Sequence, residues 1–406
     1  MNKLPAATGV AVLDEAWLGI EKSFHELGQL IRDSTSGQDP RARFEGYRSA
    51  LALLADNYVI QVYADRKRPE FLPYLGLVNN YAAPAPDFNY FMVQVKPGVS
   101  YRVWGTRGNS ATIDVQQLAG FFGQNADLKG VRTLDNQIFD EQGITCDAGG
   151  GFEFIFGPAK PQGEYASMLW WKSDKDTALV MFREVFLDYA AEQESVVVHF
   201  QAIDGEQSQG GWSLDDAVHR LQSFGRAMKH YGFTFSMGKS FAGIGNNVFR
   251  SENFGGGAGH SGQAYLQARY EIPPGYAMVG QWTVPPKYSY WSVALYNDVY
   301  QTLDFVEHQV SLNGVQAHVG GNRAFTFVVS DFDPGIANWL DVDGHPTGVL
   351  LLRAKDCPGA VAPTVKLVAQ ADLDKSLPVD IKRVTAGDRQ HDLNIRRKHY
   401  LCRTRR

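Results

Sequence analysis

The chain is 406 residues long, with 39 basic against 44 acidic residues, a net charge of −5, 44% apolar residues and 12% aromatic ones. That length accommodates two to three domains with cores of their own, and the mild acidity excludes a global electrostatic pull towards nucleic acid or membrane surfaces. Many aromatics and 41 glycines favour β-structure with tight turns over a helical bundle.

The first 78 residues are expected to form a helical hairpin. Leu13, Trp17, Ile20, Phe24, Leu27 and Ile31 recur at alternating spacings of four and three, which is one face of a helix. Asp33-Ser34-Thr35-Ser36-Gly37 breaks it, and Phe44, Tyr47, Leu51, Leu54, Tyr58 and Val62 repeat the pattern. Both faces are expected to pack on the adjoining β-domain, with a dimer contact or a lid as the other roles for the pair. The start of the chain lacks the apolar core of a secretory signal, and no run of about 18 apolar residues predicts a membrane span.

From residue 79 the period changes to that of strands. Tyr90 to Val95 and Tyr101 to Trp104 flank the turn signal Pro97-Gly98, and further strands are expected at Phe152–Phe156, Ala178–Val185 and Ser195–Gln201. Without intervening helical patterns, this predicts an antiparallel β-sandwich or jelly-roll-like domain over 79–205. Ser213-Leu214-Asp215-Asp216 resembles a capping box and opens a connecting helical segment, 206–245. Strands resume at Ala264–Ile272 and continue through a second sandwich, 246–372. A basic tail, 373–406, is expected to be helical and solvated or paired with acidic surface.

The two β-regions repeat one another. Phe152-Glu153-Phe154-Ile155-Phe156 is echoed 173 residues later by Phe325-Thr326-Phe327-Val328-Val329. Tyr90 corresponds to Tyr265, Pro97-Gly98 to Pro274-Gly275, Trp170-Trp171 to Trp339, and Arg183 to Arg353. A nearly constant offset over several strands marks two copies of one unit. The fold class is therefore mainly β, with tandem antiparallel sandwiches, an N-terminal hairpin and a connecting helix.

Most motifs are excluded by their surroundings. Gly257-Ala258-Gly259-His260-Ser261-Gly262 has the dinucleotide spacing but not the strand before it and helix after it. Gly238-Lys239-Ser240 lacks the upstream glycine of a phosphate loop, and Ser236-Met237-Gly238-Lys239 lacks the partner motifs of a serine nucleophile. Cys146, Cys357 and Cys402 form no C-x-x-C, which excludes a zinc ribbon or disulfide framework and suits a reduced, cytoplasmic setting. Glu307-His308 and Asp343-Gly344-His345 are the nearest approach to metal ligands, and they are sparse. No metal and no cofactor are expected.

Candidate residues concentrate in the second β-region. Asn297 and Tyr300 follow an aromatic strand, a composition that suits a small-molecule cleft. Asn338, Trp339 and Asp341 lie in a turn-rich stretch, with Asx-turns and core packing as the structural alternative. Asp304 and Asp341 are candidate general bases, with His345 near them, and Arg353 or Asn338 would stabilise a developing oxyanion. Arg183 and Arg353 interrupt apolar strands, so each is expected to pair with a carboxylate, Asp188 or Asp304.

Tyr290-Trp291-Ser292-Val293, Asp304, Asn313-Gly314, Asp333-Pro334-Gly335-Ile336-Ala337-Asn338-Trp339-Leu340-Asp341, Gly344-His345 and Arg353 together resemble the bacterial domain of unknown function 1214, over roughly residues 246–370. The first β-region is more weakly similar to its partner, domain of unknown function 1254. The resemblance implies tandem β-sandwiches and no set of catalytic residues. Function is thus expected from the residues themselves: a cofactor-independent enzyme acting by acid/base catalysis on a bulky, partly apolar small molecule. The alternatives are a non-catalytic glycan- or lipid-binding protein and an assembly protein. Expected partners are a small-molecule ligand or substrate and a second copy of the chain, without nucleic acid or membrane.

Overall fold

The computed structural model describes residues 6–34, 39–124, 132–204, 213–230, 245–252, 262–357, 359 and 361–404. The glycine-rich loop before Gly262 and the segments Ser236–Lys239 and Gly238–Ser240 lie outside the described residues.

Helices α1 (Ala6–Asp33) and α2 (Pro40–Asn57) form the N-terminal hairpin. Pro40 starts α2 where no backbone donor is needed, and the Asp39 carboxylate accepts from the Ala42 amide at 2.9 Å. A π-helical turn, Tyr58–Tyr63, extends it. Helix α3 (Leu214–His230) lies along α1.

The first sandwich has an inner sheet of β1 (Leu72–Pro73), β2 (Phe88–Gln94), β8 (Leu179–Val185), β4 (Thr112–Leu118) and β5 (Thr133–Ile138), in that order. Its outer sheet runs β7 (Trp170–Lys172), β6 (Gly151–Gly157), β3 (Tyr101–Thr106), β9 (Val197–Ala202). The second sandwich has an inner sheet of β10 (Arg250–Glu252), β11 (Gln263–Glu271), β17 (Thr347–Lys355), β13 (Tyr290–Tyr296) and β14 (Ser311–Asn313). Its outer sheet runs β16 (Trp339–Asp341), β15 (Ala324–Ser330), β12 (Tyr276–Thr283), β18 (Thr364–Ala369). Two short helices follow, α4 (Leu373–Ser376) and the long α5 (Ala386–Arg403).

Adding nine to each strand number of the first sandwich gives the second, including the parallel pairs β6–β7 and β15–β16. Register agrees as well. Ile155 faces Trp170 where Val328 faces Trp339, and Tyr90 faces Arg183 where Tyr265 faces Arg353. The Trp170 indole donates to the Gly157 carbonyl, and the Trp339 indole to that of Ser330, the matching position. Gly98 and Gly275 turn the matching hairpins with φ of 81° and 76°, where a side chain would be strained. The repeat seen in the sequence is a repeat of whole domains.

Each sandwich fills its interior from one face of its inner sheet. Phe91, Val93, Val115 and Phe182 do so in the first, and Leu266, Val293, Leu350 and Leu352 in the second. The other faces of these sheets are covered too: every residue of β2, β8 and β13 is buried. Strands covered on both sides read as continuous apolar runs. The helices cover part of the first inner sheet, and the two inner sheets meet over the rest, where Tyr290 packs on Phe88 and Lys355 reaches Asp114.

Two expectations are corrected here. The hairpin faces are only half used: Ile20, Leu27 and Ile31 are buried, but Trp17, Phe24, Phe44, Tyr47, Leu51 and Tyr58 are exposed. The contact with α3 selects small residues, Ala16, Gly19 and Ser23, and a Cβ on Gly225 would sit 3.5 Å from the Gly19 backbone. A close helix crossing of this kind has no room for Trp17. The basic tail is helical, yet three of its arginines are inside rather than solvated. Arg389, Arg396 and Arg403, seven apart, bond Asp333 and the Ile336 carbonyl, the Ser311 carbonyl, and the Pro86 carbonyl respectively.

The Lys355 ammonium lies 2.6 Å from the Asp114 carboxylate, with the two side chains 8% and 3% exposed. Removing one partner leaves an uncompensated buried charge, so Lys355→Met is expected to lose about 3–5 kcal/mol in urea unfolding, and the double variant Asp114→Leu/Lys355→Met to regain most of it.

Candidate functional site

The face of the second inner sheet turned towards the first carries Gln267, Tyr265, Arg353, Ser292, Tyr290 and Lys355, placed by the register of β11, β17 and β13. The facing sheet contributes Tyr90, Arg183, Asp114 and Gln116. Arg353 is 4% exposed. It bonds the Tyr296 hydroxyl and, at 2.6 Å, the Ala83 carbonyl, and its guanidinium stacks over the rings of Tyr265 and Tyr296. Tyr90 and Tyr290 complete a cage of four tyrosines; burial disfavours the Arg353 charge, but the surrounding tyrosines outweigh it and hold its pKa above the ordinary value. No carboxylate among the described residues contacts this guanidinium. The expected partner, Asp304, turns one carboxylate oxygen, Oδ1, to the amides of Val306 and Glu307 at 2.9 and 3.1 Å. Arg183 lies opposite Asp114 in the strand register, and Asp188 accepts from the amides of Ala190 and Ala191.

Backbone strain collects beside the cage. Ala82, Ala83 and Tyr300 all adopt left-handed φ, at 57°, 57° and 58°, and the Ala83 amide donates to the Tyr300 carbonyl at 2.8 Å. Each such residue costs about 1–3 kcal/mol, and strain of this kind clusters at ligand clamps and active sites. The Tyr300 hydroxyl donates to Gln267 Oε1 at 3.0 Å, while Gln267 Nε2 has no hydrogen-bond partner and the residue is fully buried. On the facing sheet the buried Gln116 Oε1 is likewise unpartnered. A buried polar atom without a partner costs about 1–3 kcal/mol, which a bound polar group would recover.

Asp87 ties the seam together. Fully buried, it accepts from Tyr189 at 2.6 Å, Tyr290 at 2.7 Å and Asn313 at 2.9 Å, so one carboxylate joins both sandwiches.

The other candidate residues fall in two further places. At one end of the second sandwich, Asp341 Oδ2 lies 2.8 Å from His308 Nδ1, with Asp343 at 3.6 Å from the other ring nitrogen. Burial disfavours the protonated His308 ring, but the hydrogen bond to Asp341 and the charges of Asp343, Asp341 and Asp304 outweigh it and raise its pKa above 6.5. His345, on the same loop, is clamped from the hairpin: its Nε2 lies 2.7 Å from Glu45, and Arg41 holds both its ring and the Asp343 carbonyl. The second Glu45 oxygen accepts from Asn297 at 3.0 Å. Asp304, Asp341, His345 and Asn297 thus gather at one end, whereas Tyr300 and Arg353 belong to the seam.

Asn338 and Trp339, just before Asp341 in the chain, spend their polar groups on the fold. The Asn338 amide is fully used, bonding the His318 amide and the carbonyls of His318 and Thr326. Trp339 packs among Val328, Ile336, Leu373 and Leu377 under the C-terminal segment, with Arg389 over its ring. Among the described residues there is no group of three or more His, Cys, Asp or Glu side chains that would hold a metal ion, and no helix is long and apolar enough to cross a membrane.

Asp87, Asp114, Lys355, Arg41 and Glu45 were not picked out from the sequence. Lys355 had a signal: it stands two residues after Arg353 on an apolar strand, so both cations share one face. Glu45 showed only an ordinary i,i+4 helix pairing with Arg41, because its other partners lie about 250 and 300 residues away.

An uncharacterised protein from Burkholderia cenocepacia has a similar structure, with 21% identity, a TM-score of 0.77, and 89% of this chain and 99% of that one covered. A Vibrio parahaemolyticus protein aligns over 79% of this chain and 98% of its own at 11% identity, with a TM-score of 0.46. The first likeness shows the shared two-sandwich fold. No family model and no curated protein matches the chain.

Burial alone would raise the Glu45 pKa, but His345 and Arg41 outweigh it and hold it below 4.5. A lowered carboxylate contributes stability that is complete above its unfolded pKa and is lost as pH falls through the folded one. Glu45→Gln is therefore expected to cost about 2 kcal/mol at neutral pH. The gap to the parent should close as pH drops below 4.5, measured as thermal midpoints across an acid series.

Proposed function

We propose that this protein is a cofactor-independent enzyme acting by acid/base chemistry on a bulky, partly apolar small molecule that carries an anionic group. The observation that carries the proposal is Arg353, a buried guanidinium that meets tyrosine rings and a carbonyl but no carboxylate among the described residues. An isolated buried charge is costly, and a carboxylate or phosphate on a ligand would compensate it. The ring faces of Tyr265 and Tyr296 suit an apolar body, and the unpartnered Gln267 Nε2 offers one further polar contact, as a donor.

Lys355 follows Arg353 by two residues on the same strand face, about 7 Å along the strand. Its ion pair with Asp114 supplies both halves of a proton transfer. In this proposal Asp114 takes the proton the substrate loses, and the Lys355 ammonium stabilises the charge that develops. Hydrolysis, elimination and isomerisation all use such a pair. The resemblance to the domain of unknown function 1214 remains part of the same proposal.

The non-catalytic alternative is favoured by one observation: the Asp304 carboxylate is engaged in capping a turn, and Asp341 both caps one and orients His308. A thermal-shift screen of aromatic and aliphatic carboxylates and phosphates, followed by product analysis of every stabilising compound, separates the two. An enzyme converts at least one compound, and Asp114→Asn abolishes turnover while keeping the shift. Stabilisation without conversion favours a binding protein. Arg353→Met is expected to weaken any such ligand by about 2–3 kcal/mol, roughly 30- to 150-fold in Kd. If binding is unaffected by Arg353→Met, the site assignment falls.

A further inference from the structure

The apolar residues that the hairpin leaves outside are not scattered. On α1, Val10, Trp17 and Phe24 follow one another at intervals of seven and are 60%, 54% and 43% exposed. On α2 and its π-turn, Phe44, Leu51 and Tyr58 do the same at 64%, 59% and 53%, with Tyr47 between them. Repeats of seven on a helix surface form the seam of a coiled-coil-like contact. At roughly 100 Å² of exposed side chain each, these residues and Leu18 present on the order of 800 Å², above the largest patch of a typical monomer and equal to one partner's share of a standard stable interface.

The flanking charges say which helix meets which. Taking Val10, Trp17 and Phe24 as the seam positions of α1, the residues four further on, beside the seam, are Asp14 and Glu21. Taking Phe44, Leu51 and Tyr58 for α2, the residues beside the seam are Arg43 and Arg48. Pairing α1 with α1 would oppose like charges, and so would α2 with α2. Pairing α1 of one copy with α2 of another satisfies both contacts at once, and a twofold axis repeats the arrangement. We infer that the outward face of the N-terminal hairpin is a homodimer interface, α1 of each protomer packing against α2 of its partner in a four-helix arrangement.

The occupant is a second copy because one surface carries both halves of the complementary pattern. The interface does not depend on what the seam between the sandwiches binds. Since Glu45 and Arg41 of α2 clamp His345, the dimer contact and the second sandwich are also joined through one helix.

Sedimentation velocity on the full chain tests this. The parent is expected to run at twice the mass of one chain, and Trp17→Glu and Leu51→Glu each at the mass of one, with unchanged far-ultraviolet circular dichroism because both positions are exposed. Arg48→Glu should weaken the dimer about tenfold through two symmetric ion pairs, and adding Glu21→Arg in the same chain should restore it. A parent that runs as a single chain overturns the inference, including one that binds phospholipid vesicles through this face instead. So does a dimer that survives both Trp17→Glu and Leu51→Glu, or an Arg48→Glu dimer that Glu21→Arg weakens further.

Discussion

Two equivalent sheets face each other, and neither facing surface is fully apolar. Everything else in the molecule follows from how that seam is satisfied. Arg183, Arg353, Lys355, Asp114 and Asp87 are all at most 6% exposed. Charges at such depth are tolerated only with partners of good geometry. Lys355 has Asp114, and Asp87 has three donors from both sandwiches. These bonds set the position of one sandwich against the other, because sliding either sheet by one residue would part each donor from its acceptor and leave buried charges unpaired. Arg353 is the member whose charge no described carboxylate meets, and the strained backbone at Ala82, Ala83 and Tyr300 collects beside it.

The remaining elements brace this arrangement. Helix α2 reaches the second sandwich through Arg41 and Glu45, so the N-terminal hairpin is fastened to the domain most distant from it in the chain. Helix α5 reaches both sandwiches. Arg403 bonds the Pro86 carbonyl and lies over Phe186 and Phe305, one ring from each sandwich. His399 stacks flat on Tyr189, whose hydroxyl holds Asp87. Burial, and then the neighbouring Arg403, push the His399 pKa down to about 2, so this ring is neutral wherever the fold persists. The basic tail is therefore a structural strut. Its arginines bond carbonyls of both sandwiches and the Asp333 carboxylate.

Duplication explains where chemistry is concentrated. Matching positions such as Trp170 and Trp339 make the same indole-to-carbonyl bond, and Gly98 and Gly275 make the same turn. These are properties of the scaffold. The copies diverge where they face each other: Asp114 in the first stands at the register position of Ser292 in the second, beside Arg183 and Arg353 respectively. Two identical faces would set Arg183 and Arg353 on opposing sheets with no acidic group between them, an arrangement of like charges. An aspartate on one side resolves that conflict while leaving the other guanidinium to a tyrosine cage.

Strand positions, the tandem repeat, the hairpin and the terminal helix were legible in the sequence, since alternation, turn glycines and heptad spacing are local and each element carries its own signal. Arg353 was legible too, because a cation inside Val349-Leu350-Leu351-Leu352 has to be explained. Its surroundings were not. Ala83, Tyr90 and Tyr296 come from three stretches up to 270 residues away, and Glu45 meets His345 across 300. The same limit applies to Asp304, Asn338 and Trp339, whose residue types suit both a site and a turn, and only packing shows that Asp304 Oδ1 caps a turn while the Asn338 amide and the Trp339 indole bond backbone groups and Ser330. The sequence by itself determined which elements form and that they form twice. Only the tertiary structure decided which faces of those elements meet, because that depends on long-range charge pairing and close helix crossings that leave no periodic trace in the chain.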